Sequence, residues 1–266
     1  MDLKSCQYQT ENLTTRFFGS PMRPQLSHLG QAGVWGTGAM GGTLESGTLP
    51  ASHTTPLADG PEGADHLFVL AHGSGQAMDD RALQHIAAGL GRKGIRVLRF
   101  PWPDMGRHGE RETLEAGRGT GDFASGDGML EAHLVEVVRL HRAPYPRLVV
   151  GGWSLGARIA VQVAARVGAD AVACLSYPFF PKGKPACRTR VEALRALPVP
   201  GLIIQGSRDA FGNREQVRGY RLPSRIQLYW LEGANHALVP RPGDGGSRES
   251  YLKRAVRELG SYIQGV

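Results

Sequence analysis

The most constraining feature of the sequence is the stretch of residues 148–160, where a short apolar β-branched run meets glycines, one serine and an alanine-rich segment. This order predicts a strand, a tight turn and a helix. Gly152 and Gly156 flank Ser154 in the pattern G-x-S-x-G of a nucleophile elbow, where a Cβ at either glycine is expected to collide with neighbouring backbone. We expect the Ser154 hydroxyl to project above the start of the helix, where the Leu155 N–H can donate to an anionic oxygen.

The rest of the chain repeats this alternation of strand and helix. Apolar runs of strand length lie at residues 66–71, 95–100, 147–152, 171–176, 201–205 and 226–231. Helical spacing of apolar residues occurs at residues 82–90, 129–141, 157–167 and 251–263. The alternation predicts an α/β fold, a three-layer sandwich in which a mostly parallel sheet carries helices on both faces. In such sheets, functional sites lie beyond the carboxyl ends of the strands.

Two segments depart from the alternation. Residues 1–60 hold clusters of Gly, Ser, Thr and Pro without a sustained apolar period, so we predict a disordered leader there and one α/β domain over residues 61–266. Residues 43–52 could still supply a short antiparallel edge strand. Residues 101–127 are rich in glycine and charge and are long for a plain connector, which makes them a candidate lid or substrate loop.

The net charge of +7 is unevenly distributed along the chain. Residues 1–65 carry three basic and six acidic side chains, whereas the rest of the chain carries 28 basic and 18 acidic ones. The arginines are scattered rather than aligned along one helix face. We therefore expect a solvated basic surface that can attract acidic substrates or partners, and we consider a nucleic-acid site the weaker interpretation.

The sequence also bounds the compartment. No apolar run approaches the roughly 18 residues of a membrane span. Residues 1–7 have neither the basic nor the apolar region of a signal peptide. Cys6, Cys174 and Cys187 lack metal-ligand spacing and cannot all pair within the chain, which fits a reducing compartment. We therefore predict a cytoplasmic protein with no metal and no membrane partner.

The histidine that would activate Ser154 can be predicted from chain order. A serine hydroxyl needs a base within hydrogen-bond distance, and a third group must orient that base. Where a nucleophile elbow is present, the acid and then the histidine follow the serine in the chain. His236 lies just past the last predicted strand and follows the candidate acids. We therefore predict His236 as the base.

The acid is chosen by its position in the predicted sheet. Asp170 precedes a strand, which places it at the wrong end of the sheet. Asp209 follows the strand at residues 201–205, at the carboxyl end where Ser154 is also expected. We predict Asp209 as the acid, with Glu232 and Glu215 as the alternatives.

A second donor to the oxyanion is expected in the loop after the first long strand. That loop reads AHGSGQAM at residues 71–78, and its glycines let the backbone approach a ligand. The N–H of Ser74, or else of Gly75, can join that of Leu155. His72 is then expected to have a structural role.

Taken together, residues 152–156, Asp209, His236 and the pair His72 and Gly73 resemble a serine α/β hydrolase over the chain from about residue 60 onward. Residues 99–103, 176–185 and 205–212 are similar to dienelactone-hydrolase-like proteins grouped with the hydrolase-like domain of an NSL chromatin-complex subunit and its small testis-expressed relative. The resemblance implies a hydrolase with little or no cap domain, no metal and no organic cofactor. Dienelactone hydrolases use a cysteine nucleophile where this chain has serine, so their substrate is not carried over.

The sequence thus predicts a serine hydrolase of small esters or thioesters that forms an acyl-enzyme on Ser154. The alternative is a catalytically idle hydrolase-like scaffold that binds a partner, and nucleic-acid association is a third, weaker interpretation. The cations in the loop at residues 181–190 suggest an anionic substrate, although the same residues could simply solvate an exposed loop.

Overall fold

The structure, a computed structural model, describes residues 55–103, 123–244 and 246–266. These residues form a seven-stranded sheet in which six strands are parallel and one edge strand is antiparallel. The strands are β1 (Leu57–Asp59), β2 (His66–Ala71), β3 (Arg96–Arg99), β4 (Arg147–Trp153), β5 (Ala171–Leu175), β6 (Gly201–Gly206) and β7 (Ile226–Leu231).

The order of the strands positions the site. Across the sheet they run β1-β3-β2-β4-β5-β6-β7, so β2 lies between β3 and β4. Ala71 pairs with Gly152 across β2 and β4, and Gly206 pairs with Leu231 across β6 and β7. The carboxyl ends of these strands therefore meet at one edge of the sheet, where the loops with the predicted site residues emerge.

Helices cover both faces of the sheet, which confirms the predicted three-layer α/β sandwich. They are α1 (Arg81–Gly91), α2 (Phe123–His141), α3 (Leu155–Val163), α4 (Thr189–Ala196), α5 (Arg214–Arg218) and α6 (Arg248–Gln264). Because successive strand residues point to opposite faces, Val150 joins the core with α2, α3 and α4, whereas Val149 joins the core with α1 and α6. Two buried clusters therefore hold the sheet from its two sides.

The elements match the sequence prediction where the apolar pattern is strong. β2 and β7 have the predicted bounds, but α2 begins at Phe123 rather than 129. Helices α4 and α5 were not predicted. The first has only Val191 and Leu194 buried among polar residues, and the second is five residues long. Neither helix has enough apolar residues at helical spacing to be recognised from the sequence.

The sheet begins earlier than the predicted domain boundary at residue 61. Strand β1 pairs antiparallel with β3, and the Arg99 guanidinium forms an ion pair of 2.8 Å with Asp59 while also donating to the Met78 carbonyl. A strand of three residues is too short to be recognised from alternation in the sequence. The edge pairing and the ion pair hold it in the sheet instead. The rest of the predicted leader, including the candidate edge strand at 43–52, lies outside the described residues.

The candidate lid, residues 101–127, also falls largely outside the described residues, since 104–122 are not among them. Its last residue is held in place: Asp127, on α2, accepts two hydrogen bonds from the Arg158 guanidinium on α3. This pair ties the end of the segment to the helix that follows Ser154.

Among the helices of the described residues, none is long and apolar enough to cross a membrane.

Candidate active site

Ser154 lies in a strained turn between β4 and α3. Its backbone has φ of 51° and ψ of −107°, a combination that a non-glycine residue rarely adopts. A Cβ added at Gly152 or at Gly156 would lie 2.4 Å from the carbonyl oxygen of Ala71, so both positions need glycine. The Ser154 N–H donates to the Leu175 carbonyl at 3.0 Å on the other side. The turn is therefore fixed by backbone on β2 and β5, with little dependence on side chains.

The serine hydroxyl is at the start of a continuous chain of hydrogen bonds. Ser154 Oγ lies 2.8 Å from His236 Nε2, and His236 Nδ1 lies 2.7 Å from Asp209 Oδ2. An ionised carboxylate only accepts, so Nδ1 carries the proton toward Asp209 and Nε2 is free to accept from the hydroxyl. The structure thus brings together the three residues that chain order and sheet position selected.

Asp209 is completely buried just beyond the end of β6. Its Oδ1 accepts from the Phe211 N–H at 2.8 Å, and its Oδ2 accepts from Gln205 Nε2 at 2.9 Å as well as from the imidazole. The Phe211 ring packs on the His236 ring with the centroids 4.6 Å apart. Sequence reasoning missed Gln205 and Phe211, because nothing in a residue type reveals that its side chain or amide faces a carboxylate.

The loop that carries His236 is held against β6 and the elbow. A Cβ at Gly206 would lie 2.5 Å from the Ala234 carbonyl oxygen, so the loop crosses the end of β6 in direct contact. The indole Nε1 of Trp153, the residue before Ser154, donates to the His236 carbonyl at 3.3 Å. This hydrogen bond links the serine side of the site to the histidine side, and no sequence pattern indicates it.

The other candidate acids lie elsewhere. Glu232 accepts from the Ser207 hydroxyl at 3.0 Å and forms an ion pair of 2.8 Å with Arg214. Asp170 accepts from the Leu148 N–H at 2.8 Å, at the amino end of β4 and therefore at the opposite edge of the sheet, as its place before a strand indicates. Glu215 lies in the first turn of α5. The described contacts leave Asp209 as the acid that reaches His236.

The two predicted oxyanion donors flank the serine. Leu155 is the first residue of α3, where an N–H has no partner within the helix. After β2, a Cβ at Gly73 would lie 3.5 Å from Ser154 Cβ, so this loop passes directly beside the elbow. The Gly73 N–H is taken by Gln76 Oε1 at 3.0 Å. Within the described part of the chain, no acceptor takes the N–H of Ser74 or of Leu155.

His72 holds that loop in place. The side chain is 8% exposed, and its Nδ1 lies 2.9 Å from the Gly73 carbonyl, to which it can donate. Its Nε2 then accepts from the Trp102 N–H at 3.3 Å, and the Trp102 indole donates to the His72 carbonyl at 3.0 Å. These bonds fit the structural role expected for His72, since they tie the loop beside Ser154 to the chain that follows β3.

The buried cysteine is not placed to act as a nucleophile. Burial raises the pKa of the Cys174 thiol well above its ordinary value, which removes the reactive thiolate. Its sulfur lies 3.9 Å from the Ala157 carbonyl inside the core. Among the described residues, no group of three or more His, Cys, Asp or Glu side chains could hold a metal ion.

Two of the four predicted loop cations contact groups next to the loop. The Arg190 guanidinium donates to the carbonyls of Pro178 and Phe180, and burial, with Arg158 nearby, lowers its pKa to about 10. The Arg188 guanidinium stacks over the Tyr220 ring at 4.8 Å. Lys182 and Lys184 are exposed and have no partner within the described residues. The two lysines are therefore the loop cations without a described contact, and they are the ones to test for attraction of an anionic substrate.

The fold gathers arginines that are scattered in the sequence. An open groove of about 1060 Å³ adjoins the loops that carry Asp209 and His236. Four segments form it: the loop after β6, α5, the loop after β7, and α6. Because these segments are separate in the sequence, spacing along the chain did not reveal the groove. Its acidic residues are Glu215, Glu232 and Asp244, and its arginines are Arg208, Arg214, Arg218, Arg241 and Arg254.

A family model described as an alpha/beta hydrolase domain matches residues 64–264 of this chain. A search of curated protein sequences found no match.

Solved structures share the fold at low sequence identity. One is Est1E from Butyrivibrio proteoclasticus with bound ferulic acid, with a TM-score of 0.58 and 16% identity over 80% of this chain and 96% of that one. Another is dienelactone hydrolase from Anabaena variabilis, with a TM-score of 0.58 and 18% identity over 79% of this chain and 90% of that one. A third is an alpha-beta serine hydrolase homologue from Coxiella burnetii, with a TM-score of 0.53 and 19% identity over 78% of this chain and 88% of that one. At such identities the likeness is one of fold.

Proposed function

We propose that this chain, which belongs to the alpha/beta hydrolase domain family, is a serine hydrolase that cleaves small esters or thioesters through an acyl-enzyme on Ser154. The observation that carries the proposal is the unbroken chain of hydrogen bonds from Ser154 Oγ through His236 to the buried Asp209. A serine that only terminates a strand needs neither an imidazole on its hydroxyl nor a buried carboxylate behind that imidazole.

The reaction follows from the roles that this geometry supports. Ser154 Oγ bonds to the substrate carbonyl carbon as its proton passes to His236 Nε2, and Asp209 stabilises the resulting imidazolium. The N–H groups of Leu155 and Ser74 donate to the oxyanion. The imidazolium then gives its proton to the departing alcohol or thiol. Water, deprotonated by the same imidazole, releases the acid and restores the serine.

The substrate class is inferred from two observations. The names of two structural neighbours, a ferulic-acid-bound Est1E and a dienelactone hydrolase, favour carboxylic ester chemistry on this fold. Lys182 and Lys184 favour an anionic ester or thioester. The closer resemblance to the NSL-complex branch, the absence of a cofactor and the cytoplasmic location stay predictions from the sequence.

Fluorophosphonate labelling tests the proposal, because such probes react with a base-activated serine at neutral pH. We expect wild type to be labelled at Ser154, and Ser154→Ala and His236→Ala to be unlabelled. Ser74→Ala is the matched control: it keeps the backbone N–H that the mechanism uses and should remain labelled. Hydrolysis of paired ester and thioester substrates then identifies the leaving group. Equal labelling of wild type and Ser154→Ala would remove Ser154 as the nucleophile.

The second candidate function is a partner-binding module with an idle triad. The arginine-lined groove favours it, because exposed guanidinium groups around one concave surface complement an acidic partner. A folded wild-type protein that takes no label, yet binds an acidic peptide with an affinity that falls as salt rises and falls in Arg218→Glu, would support this function over hydrolysis. Nucleic acid in place of the peptide tests the third interpretation, because its binding falls steeply with salt.

A further inference from the structure

We propose that Gln205 is a positioning residue for the acid of the triad. Its side-chain N–H holds Asp209 Oδ2 in the orientation that receives the Nδ1–H of His236. This inference rests on the proposed function, because it concerns the machinery of that reaction.

The orientation of the Gln205 amide is fixed by its surroundings. The side chain is completely buried near the carboxyl end of β6. Its Nε2 lies 2.9 Å from Asp209 Oδ2 and 3.2 Å from each of the carbonyl oxygens of Tyr177 and Gly212. All three groups are acceptors. Turning the amide over would place its oxygen against all of them, so the nitrogen must face Asp209.

The other end of the amide has no such use. Gln205 Oε1 is buried and has no hydrogen-bond partner within the described residues. A buried oxygen without a partner is unfavourable and uncommon in native proteins. An apolar side chain of similar size would fill the same space without this penalty. What the amide contributes is therefore the hydrogen bonds that Nε2 donates, including the one to the Asp209 carboxylate.

The carboxylate depends on few groups for its orientation. The contacts described for Asp209 are the Phe211 N–H on Oδ1 and the Gln205 amide and His236 imidazole on Oδ2. No lysine or arginine contacts it within the described part of the chain. The two amides on opposite oxygens set the rotation of the carboxyl group. Of these, only the Gln205 amide acts on the oxygen that the imidazole uses.

A purely structural role makes a different prediction. If Gln205 served only to tie β6 to the carbonyls of Tyr177 and Gly212, its loss would lower thermal stability and leave the imidazole unaffected. Two variants of similar length separate the roles: Gln205→Met removes the donor, and Gln205→Glu introduces a carboxyl group that can donate to Asp209 only while it is protonated.

The kinetic arm measures kcat and KM for an ester across pH. We expect Gln205→Met to lower kcat by roughly 10-fold to 10²-fold with KM nearly unchanged, because a misplaced catalytic group can lower the rate by about 10². At low pH we expect the turnover of Gln205→Glu to be higher than that of Gln205→Met and close to that of wild type. As the introduced carboxyl group ionises, we expect this turnover to fall. That falling limb is absent from wild type. Gln227→Met, at an exposed glutamine of β7, is the control and should keep the wild-type profile.

The spectroscopic arm needs no turnover. In the Ser154→Ala background, proton NMR can follow the downfield resonance of the His236 Nδ1–H, assigned by its loss in His236→Ala. We expect the resonance to shift or broaden in Gln205→Met, and to depend on pH in Gln205→Glu. A wild type without hydrolase activity whose resonance still responds in this way would refute the proposed function and leave the positioning role standing.

An unchanged resonance and an unchanged pH profile in both variants would overturn the inference, whatever happens to the melting temperature. If Gln205→Met does not fold, Gln205→Glu decides alone. If neither the resonance nor the turnover changes as the introduced carboxyl group ionises, Gln205 is a packing residue only.

Discussion

The two halves of the site are held by different kinds of force. On the nucleophile side, the turn at Ser154 is fixed by backbone contact: the Cα atoms of Gly152 and Gly156 face one carbonyl oxygen of β2 with no room for a side chain. On the acid and base side, Asp209 and His236 are held by hydrogen bonds from Gln205, Phe211 and Trp153. The nucleophile side is therefore built from the backbone of the sheet, whereas the acid and base side lies in loops that hydrogen bonds hold against the sheet.

This difference predicts different responses to substitution. A change on the nucleophile side alters the packing of β2, β4 and α3, so activity and stability should fall together. A change on the acid and base side removes a bond that the sheet does not need, so activity should fall alone.

The largest expected effect is that of Asp209→Asn on turnover. The amide would donate toward His236 Nδ1 and favour the wrong tautomer, which lowers kcat by roughly 10⁴-fold in a triad. Asparagine has nearly the same size and can still accept from the Phe211 N–H, but its amide would face the Gln205 donor. We therefore expect the fold to be kept and the melting temperature to fall only modestly, because one buried donor loses its acceptor. Steady-state kinetics together with thermal denaturation measure both quantities.

Glu232→Gln is the matched control for this prediction. Its carboxylate bonds to Ser207 and Arg214, away from His236, so we expect wild-type turnover. A near-normal rate in Asp209→Asn with a collapse in Glu232→Gln would reassign the acid. A large fall in melting temperature for Asp209→Asn would show instead that the acid is part of the framework.

Gly156→Ala should disrupt the nucleophile side of the site. Its Cβ would lie 2.4 Å from the Ala71 carbonyl oxygen, so β2 and α3 must separate. Overpacking of this kind destabilises by about 3 kcal/mol, which lowers the melting temperature by roughly 6–12 °C in a chain of this size. Fluorophosphonate labelling should fall in parallel, because the turn that presents Ser154 is lost.

Gly128→Ala is the control, since this helical glycine of α2 has no atom within 4 Å of its Cβ position. Alanine there should be neutral or stabilising by up to about 1 kcal/mol. Equal stability of the two alanine variants would contradict the backbone argument for the elbow.

The same division explains how far the sequence could predict this site. The elbow is a local pattern, because sterics between neighbouring backbones demand glycine at fixed spacing around one serine. Asp209 and His236 could be selected from chain order and from the end of the sheet each would occupy. Gln205, Phe211 and the Trp153 indole could not, since their contacts depend on how two separate loops fold over β6.

The fold was predictable to a similar degree. Strands buried on both faces, such as β2, stand out as apolar runs, and so does the amphipathic α6. Strand β1 could not be placed, because its position depends on the ion pair between Asp59 and Arg99 rather than on a pattern in its three residues.

Trp153→Phe tests the hydrogen bond that joins the two halves in addition to the one between Ser154 and His236. The phenyl ring stays in the core, although it is smaller than the indole, and the donor to the His236 carbonyl is lost. A typical hydrogen bond contributes about 1 kcal/mol, so we expect kcat to fall by roughly 5-fold as the histidine loop loosens. Trp230→Phe, on β7, has no described indole hydrogen bond to lose and should keep wild-type kcat. A loss of 10²-fold or more would mean that the halves are one unit.

The smallest effect is expected outside both halves, at the loop that leaves β5. Lys182 and Lys184 are exposed, whereas Arg188 and Arg190 are engaged with Tyr220 and with the loop carbonyls. Exposed charges act over about 10 Å at 0.1 M salt. Reversing both lysines to glutamate should therefore lower kcat/KM for a carboxylate-bearing ester only a few-fold, by roughly 1 kcal/mol or less. Its neutral analogue should be unaffected, and the effect on the anionic ester should vanish at high salt. The same reversal at Arg139, on α2, and at Arg166, in the turn after α3, controls for net charge. If both esters lose activity equally, or if the control reversal has the same effect, the lysines only solvate the loop and give no preference for an anionic substrate.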